Sequence, residues 1–363
     1  MKILITGNMG YVGPSVVKRL RQTIDNVEID GVDNAFFAHC LTAREGLPER
    51  HLDRQFFRDV RDLRAGDLVG YDCVVMLAAI SNDPMGARFE RVTRAVNQDT
   101  ALDIAEMAAA AGVGHLVFAS SCSVYGIASG PPRREDDSLN PVTAYAASKI
   151  GTEAGLAKIG GDMTVTSLRF ATACGMSDRL RLDLVLNDFV AAAIADGRIT
   201  VLSDGSPWRP LIDVADMARA IEWAATRPPD NGGRNLVVNA GATSANYQVR
   251  DLARAVADAV PGCTVSINEA APVDSRSYQV DFSRFATLAP NHLPTMSLGD
   301  SIEALVTGLR DLGFADPDFR NSPLIRLTVL KSLIAQGLLS DDLAWTGRIP
   351  SVASAPLMKE LAQ

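Results

Sequence analysis

The first thirteen residues constrain the fold more than any other stretch of this chain. Residues 2–6, Lys-Ile-Leu-Ile-Thr, form an apolar run of strand length, and Gly7-Asn8-Met9-Gly10-Tyr11-Val12-Gly13 follows without a break. Residues 14–22 then read as a helix. A strand that turns through glycines into a helix lets backbone N–H groups approach a pyrophosphate, which then sits at the positive end of that helix. The spacing is G-x-x-G-x-x-G, which differs from the G-x-G-x-x-G of classical dinucleotide folds. A second strand over 27–32 ends in Asp33-Asn34, 26 positions after Gly7. A carboxylate there suits a ribose 2′-hydroxyl and repels a 2′-phosphate, so NAD is favoured over NADP.

The alternation continues. Strands are expected over 55–58, 73–77, 115–119 and 164–169, with helices over 100–111 and 144–159 between them. Several of these strands are continuous apolar runs, the pattern of parallel strands covered on both faces, which predicts an α/β fold with a doubly wound parallel sheet of Rossmann type. Ligands in such sheets bind outside the carboxyl ends of the strands, where the glycine turn, Ala78-Ala79, Ser121 and Arg169-Phe170 would converge. After about residue 175 the alternation loosens. The expected division is a nucleotide-binding domain over 1–175, a smaller substrate-binding lobe mainly over 176–315, and a C-terminal helical extension over 316–363. Within that extension, 323–337 reads as an amphipathic helix that packs on the body or on a subunit partner.

Composition narrows the function classes. A chain of 363 residues with 47% hydrophobic residues can bury one large core and a smaller lobe. A net charge of −8 with no basic cluster argues against nucleic-acid and membrane-surface partners. No apolar run approaches the about 18 residues of a membrane span, and the chain enters its first strand without a charged leader, so a cytoplasmic protein is expected. Cys40, Cys73, Cys122, Cys174 and Cys263 are odd in number and widely spaced, as expected of reduced thiols. The histidines at 39, 51, 115 and 292 have no ligand spacing, so no metal site is expected.

The chemistry is carried by Tyr145-Ala146-Ala147-Ser148-Lys149. A phenol titrates at about 10 and is a poor base at neutral pH unless a nearby cation favours the phenolate. Residues four apart on a helix share a face, so the Lys149 ammonium can act on the Tyr145 oxygen directly or through a cofactor ribose. By itself Y-x-x-x-K arises by chance in many helices, where it is a half-buried tyrosine beside a solvated lysine.

Read in order, these stretches resemble the extended short-chain dehydrogenase/reductase family, in particular its nucleotide-sugar epimerases and dehydratases. The resemblance runs over roughly 1–315. It is carried by T-G-N-M-G-Y-V-G at 6–13, Asp33, Arg58-Asp59-Val60, Leu77-Ala78-Ala79, Asn97, Ser120-Ser121-Cys122-Ser123-Val124-Tyr125-Gly126, Tyr145 with Lys149, Leu168-Arg169-Phe170, and the segment from Asp204 to Asp216. It implies that Tyr145 is the base and acid, that Lys149 binds the nicotinamide ribose and lowers the tyrosine pKa, and that the Ser121 hydroxyl bonds the reacting sugar oxygen. It implies NAD contacts from Gly7, Met9, Gly10, Tyr11, Val12, Gly13, Asp33, Asn34, Asp59, Val60, Leu77, Ala78, Ala79, Ser81, Asn97, Ser120 and Phe170. For the substrate it implies Ser81, Asn82, Ser121, Ser123, Thr172 and Asn187, with Arg209 and Arg276 as guanidinium forks for a diphosphate. Exposed arginines are common, and either could instead be a solvated surface residue. The polar stretch 175–183 could line the sugar pocket or start a helix capped by Ser177. The resemblance further implies a homodimer built on the helices over 100–111 and 144–159, and a strand near 235–240 that returns to the nucleotide-binding sheet.

Three departures sharpen the reading. Nucleotide-sugar 4,6-dehydratases carry an Asp-Glu pair after the serine or threonine, and here Cys122 and Ser123 stand there, which disfavours elimination of water. Thr172 replaces the substrate-binding asparagine of UDP-galactose 4-epimerases, and Ser81 replaces a lysine near the cofactor phosphates. The expected activity is therefore NAD-dependent C4 epimerisation of a nucleotide sugar other than plain UDP-galactose. A net C4 dehydrogenase or ketoreductase shares every motif, and a non-catalytic nucleotide-sugar-binding protein is the third reading.

Overall fold

The computed structural model describes residues 1–128, 130–271 and 277–347. In chain order its strands are β1 (Lys2–Thr6), β2 (Glu28–Asp33), β3 (Arg54–Phe57), β4 (Cys73–Met76), β5 (His115–Ser121), β6 (Thr164–Phe170), β7 (Thr172–Cys174), β8 (Arg198–Val201), β9 (Trp208–Asp213), β10 (Asn235–Ala240), β11 (Asn246–Gln248) and β12 (Thr264–Ile267). The helices used below are α1 (Gly13–Thr23), α2 (Asp83–Arg88), α3 (Glu90–Arg94), α4 (Ala101–Ala110), α5 (Ala144–Leu156), α6 (Val185–Asp196), α7 (Val214–Thr226), α8 (Val249–Ala259), α9 (Ser283–Leu288), α10 (Leu298–Asp311) and α11 (Arg326–Ala335).

Seven strands form one wholly parallel sheet in the order β10-β6-β5-β4-β1-β2-β3. Its two faces can be read residue by residue. Ile3 and Ile5 of β1 pack on the side of Val16, Val17 and Leu20 of α1 and Trp223 of α7. Leu4, between them, packs on the opposite side with Ile104, Ala105 and Ala108 of α4. Both faces are covered, so the middle of β1 and the whole of β4 are continuous apolar runs, and the polar residues of β6 are buried. The order reverses between β1 and β4, and a crevice opens there at the carboxyl ends of the strands.

The expected strand near 235–240 does return to this sheet: β10 pairs in parallel with β6. The segments leading to it, β9 and α7, belong to the later half of the chain, yet α7 packs against α1 under the sheet. The remaining strands make a three-stranded sheet, β11-β9-β7, and a parallel pair, β12-β8, beside which α6, α8 and α10 pack together. The stretch 175–183 is irregular and not a helix start, because the Ser177 hydroxyl donates to the Tyr11 carbonyl at 2.6 Å and ties the loop to the glycine turn.

Two boundaries differ from expectation for physical reasons. The helix expected over 100–111 is α4, and it grows directly out of a π-helical turn, Ala95–Thr100, whose wider repeat leaves no 3.6-residue pattern to read. The helix expected over 323–337 is the shorter α11, and the chain then runs back to the end of β2. There Leu330, Leu339 and Leu343 complete an apolar cluster with Phe36, Ile80, Met85, Phe89 and Val92. Among the described residues, no helix is long and apolar enough to cross a membrane.

Candidate active site

The glycine turn is built by close approach. Gly7 has φ +77°, and a Cβ there would lie 2.5 Å from the Ala78 backbone nitrogen. A Cβ on Gly13 would collide with the Asn8 carbonyl. These two positions let β1, the start of α1 and the loop after β4 meet, leaving the backbone of the turn open to a phosphate. At the end of β2 the Asp33 carboxylate accepts from Met9 N at 3.0 Å and from Ala35 N at 2.7 Å, so it is fixed beside the turn. Burial raises its pKa above the usual carboxylate value, against the pull of those two backbone donors.

One cavity of about 950 Å³ runs from this turn across the carboxyl edge of the sheet. It is at the upper end of the size range for ligand sites. It is lined by Gly7, Gly10, Tyr11, Val12, Gly13, Asp33, Asn34, Asp59, Val60, Leu77, Ala78, Ala79, Ser81, Asn82, Ser120, Ser121, Ser123, Tyr145, Lys149, Phe170, Thr172 and Arg209. Most residues singled out from the sequence are thus brought together.

Three are not in the lining. Met9 is buried behind the turn and contributes the N–H to Asp33. Asn97 uses its carboxamide on Ile80, accepting from the backbone nitrogen at 2.8 Å and donating to the carbonyl at 3.0 Å, and donates to Ser148 Oγ at 3.2 Å. It braces the loop after β4 against α5. Asn187 is fully buried, accepts from Gly175 N, and donates to Tyr11 Oη and the Arg181 carbonyl, so its side chain is committed to the protein and does not reach the cavity. Its place on the inward face of α6 gave no sequence signal that would separate support from contact. Arg276 lies outside the described residues.

Tyr145 sits in the first turn of α5, where the Thr143 hydroxyl caps the helix by accepting from Ala146 N at 3.2 Å. Burial pushes the phenol up to about 12, while the neighbouring Ser121 side chain and the Arg181 charge pull it down. Lys149, on the same face, is buried and donates to the Ala119 carbonyl at 2.7 Å, with its ammonium 4.6 Å from the Phe118 ring centroid and 5.5 Å from that of Tyr145. Burial lowers its pKa to about 7, opposed by the negative charge of Glu153. The lysine therefore bonds a backbone carbonyl in this state, not the phenol itself. Glu153 is in turn held by Arg169 at 2.7 Å and by the Ser120 hydroxyl, a buried ion pair that locks α5 to β6.

Next to Tyr145 lies a polar group that the sequence motifs only partly announced. Arg181 donates to both oxygens of Asp183, at 2.9 and 3.0 Å, and to Ser81 Oγ at 2.9 Å. Asn82 donates to Asp183 at 2.6 Å and caps α2 through Met85 N. Arg181 thus places a guanidinium beside Ser81. On the other side Cys122 is fully buried, its thiol aimed at the Arg169 carbonyl, and burial pushes its pKa far up. Ser123 lines the cavity, and its buried hydroxyl has no partner among the described residues.

A doubly wound parallel sheet with a glycine turn, an acid fixed at the end of β2 and a Ser-Tyr-Lys group facing one cavity defines a dinucleotide-binding protein of the short-chain dehydrogenase/reductase type. The model of the NAD dependent epimerase/dehydratase family matches residues 3–241, and the chain belongs to that family. The UDP-glucose 4-epimerase of Mycolicibacterium smegmatis is 27% identical over 270 residues, covering 72% of this chain and 83% of that protein. The dTDP-glucose 4,6-dehydratase of Streptomyces griseus is 26% identical over 313 residues, covering 84% and 92%. Among solved structures, MoeE5 in complex with UDP-glucuronic acid and NAD superposes with a TM-score of 0.72 at 24% identity, over 86% of this chain and 99% of that one. The protein is an NAD-dependent enzyme of this family.

Proposed function

We propose that the protein epimerises C4 of a nucleoside-diphosphate sugar through a 4-keto intermediate. The observation that carries this is the arrangement of Ser121, Tyr145 and Lys149 on one cavity wall with no acid pair after Ser121, since buried Cys122 and Ser123 stand there. Bound NAD supplies the acceptor, and later the donor, of the C4 hydride. Tyr145 takes the C4 hydroxyl proton as hydride leaves and returns it on reduction, so one group serves as base and acid. Ser121 holds the same oxygen. Arg209 and Arg276 are proposed to meet the diphosphate, and residues 176–315 to form most of the sugar side of the site.

The test is to incubate the protein with NAD and a panel of nucleotide sugars and to read products by mass spectrometry and by NMR of the C4 proton. Epimerisation predicts an equal-mass product inverted at C4. Loss of two hydrogens would instead make the enzyme a dehydrogenase, and loss of water would refute the inference from Cys122 and Ser123.

We also propose a homodimer across the outer faces of α4 and α5. Ala105 and Ala108 are spent on the protein's own sheet, but Ala110, Ala147 and Ala154 are exposed on the other side of those helices, where small side chains permit close approach. Light scattering at micromolar concentration should give twice the chain mass, and a monomer would end this proposal.

A further inference from the structure

The C-terminal extension does more than pack against the body. After α11, the chain closes on itself as a short hairpin: Ser340 N donates to the Ala344 carbonyl at 2.9 Å, Thr346 N donates to the Leu338 carbonyl at 2.9 Å, and Leu339 bridges Trp345.

Its tip is fastened to the two loops that leave β2 and β3. The Arg61 guanidinium donates to the carbonyls of Asp342 and Leu343, each at 2.8 Å, while the same side chain is held by both oxygens of Asp59. Burial raises the Asp59 carboxyl, but the bonds and charge of Arg61 outweigh it and hold the group below its usual range. Arg91 adds an ion pair to Asp342. On the other side, Trp345 Nε1 donates to the Asn34 carbonyl at 2.7 Å, and its ring lies 5.5 Å from that of Phe36. Leu343, 1% exposed, reaches the wall of the cavity between these two fastenings.

Asn34 and Phe36 directly follow Asp33, and Asp59 to Arg61 directly follow β3. Both loops belong to the end of the cleft where the ribose-side acid stands. We propose that the hairpin over 338–346 is a cofactor clip, which walls the adenosine end of the dinucleotide cleft through Leu343 and holds NAD from one turnover to the next. This rests on reading the Asp33 end as the adenosine end, and it does not depend on which sugar reaction follows. Release of the dinucleotide requires the tip to lift, which breaks the two Arg61 bonds, the Trp345–Asn34 bond, the Arg91–Asp342 ion pair and the Trp345–Phe36 contact together. Retention of this kind suits an enzyme that returns the hydride it removes.

The test is NAD release from the full-length holoprotein, measured by competition with a fluorescent dinucleotide, for the wild type, Trp345→Ala and Trp345→Phe. The alanine variant loses both the ring contact and the indole donor and is expected to release NAD about tenfold or more faster. Trp345→Phe keeps a ring and should fall between the two. Thermal unfolding of the cofactor-free proteins checks that the variants fold, and Trp345 is half exposed at the rim, so they are expected to do so. Release at the wild-type rate from both variants would overturn the clip while leaving the cleft a cofactor site. Failure of the wild type to bind NAD at all would overturn the reading of the cleft and the clip with it.

Discussion

Tyr145→Phe is expected to lower kcat by about 10²–10⁴-fold, the range for removal of a positioned general acid or base, with the NAD dissociation constant almost unchanged. The variant removes one oxygen from a half-buried ring and leaves the glycine turn, the Asp33 contacts and the Lys149 bond to Ala119 as they are. The phenol stands at about 12 in the cofactor-free protein because it is buried, and only Ser121 and Arg181 oppose that burial. A group held so far above neutrality is a competent acid, but as a base it needs added positive charge nearby. Turnover by the wild type should therefore rise with pH across the neutral range, and that rise should vanish in any residual activity of the phenylalanine variant. Steady-state rates and a cofactor titration on the same two proteins check this. Appreciable turnover without the phenol would show that another group moves the proton.

The second large effect is expected at Lys149. Lys149→Met should abolish turnover and weaken NAD binding, yet make the cofactor-free protein more stable below neutral pH. The ammonium titrates near 7 in the folded chain against 10.5 normally, because burial disfavours the charge. Between those two values the unfolded chain binds a proton that the folded chain has released, so this group makes stability rise with pH across that window. Its cost is present in full below about 7 and gone above the normal value. Methionine fills the same space without a charge, and the gain should be on the order of a few kcal/mol at pH 6 and near zero at pH 10, less the lost bond to Ala119. Thermal unfolding of both proteins at the two pH values decides it: an equal difference at both would mean that the buried charge is not felt.

Much of this was legible in the chain itself, for reasons that can be located. A central parallel strand covered on both faces tends to be a continuous apolar run, so β1 and β4 announce themselves, and the glycine turn can be read because Gly7 and Gly13 have no alternative. That Tyr145 and Lys149 share a face and meet the cavity together could be read from their spacing, because a helix puts residues four apart side by side. What could not be read has equally local causes. Asn187 and Asn97 carry side chains suited to ligands and spend them on the protein's own backbone, a choice that only the third dimension reveals. Arg181 reaches the Tyr145 side of the cavity from a loop without periodicity. The hairpin over 338–346 lies beyond every shared motif, and its carbonyls, not its side chains, receive Arg61.

The return of β10 to the nucleotide-binding sheet has a consequence for how the protein is made. As the chain leaves the ribosome, Phe170 ends the sixth strand of the large sheet, but the neighbour that covers that strand begins only at Asn235. Until then β6 is an open edge and the face of α1 that will receive α7 is bare. Until the nascent polypeptide has emerged past Ala240, β6 is the kind of unpaired strand that chaperones engage. The same threading means that neither side of the cleft is one contiguous stretch of chain that could be lifted out whole.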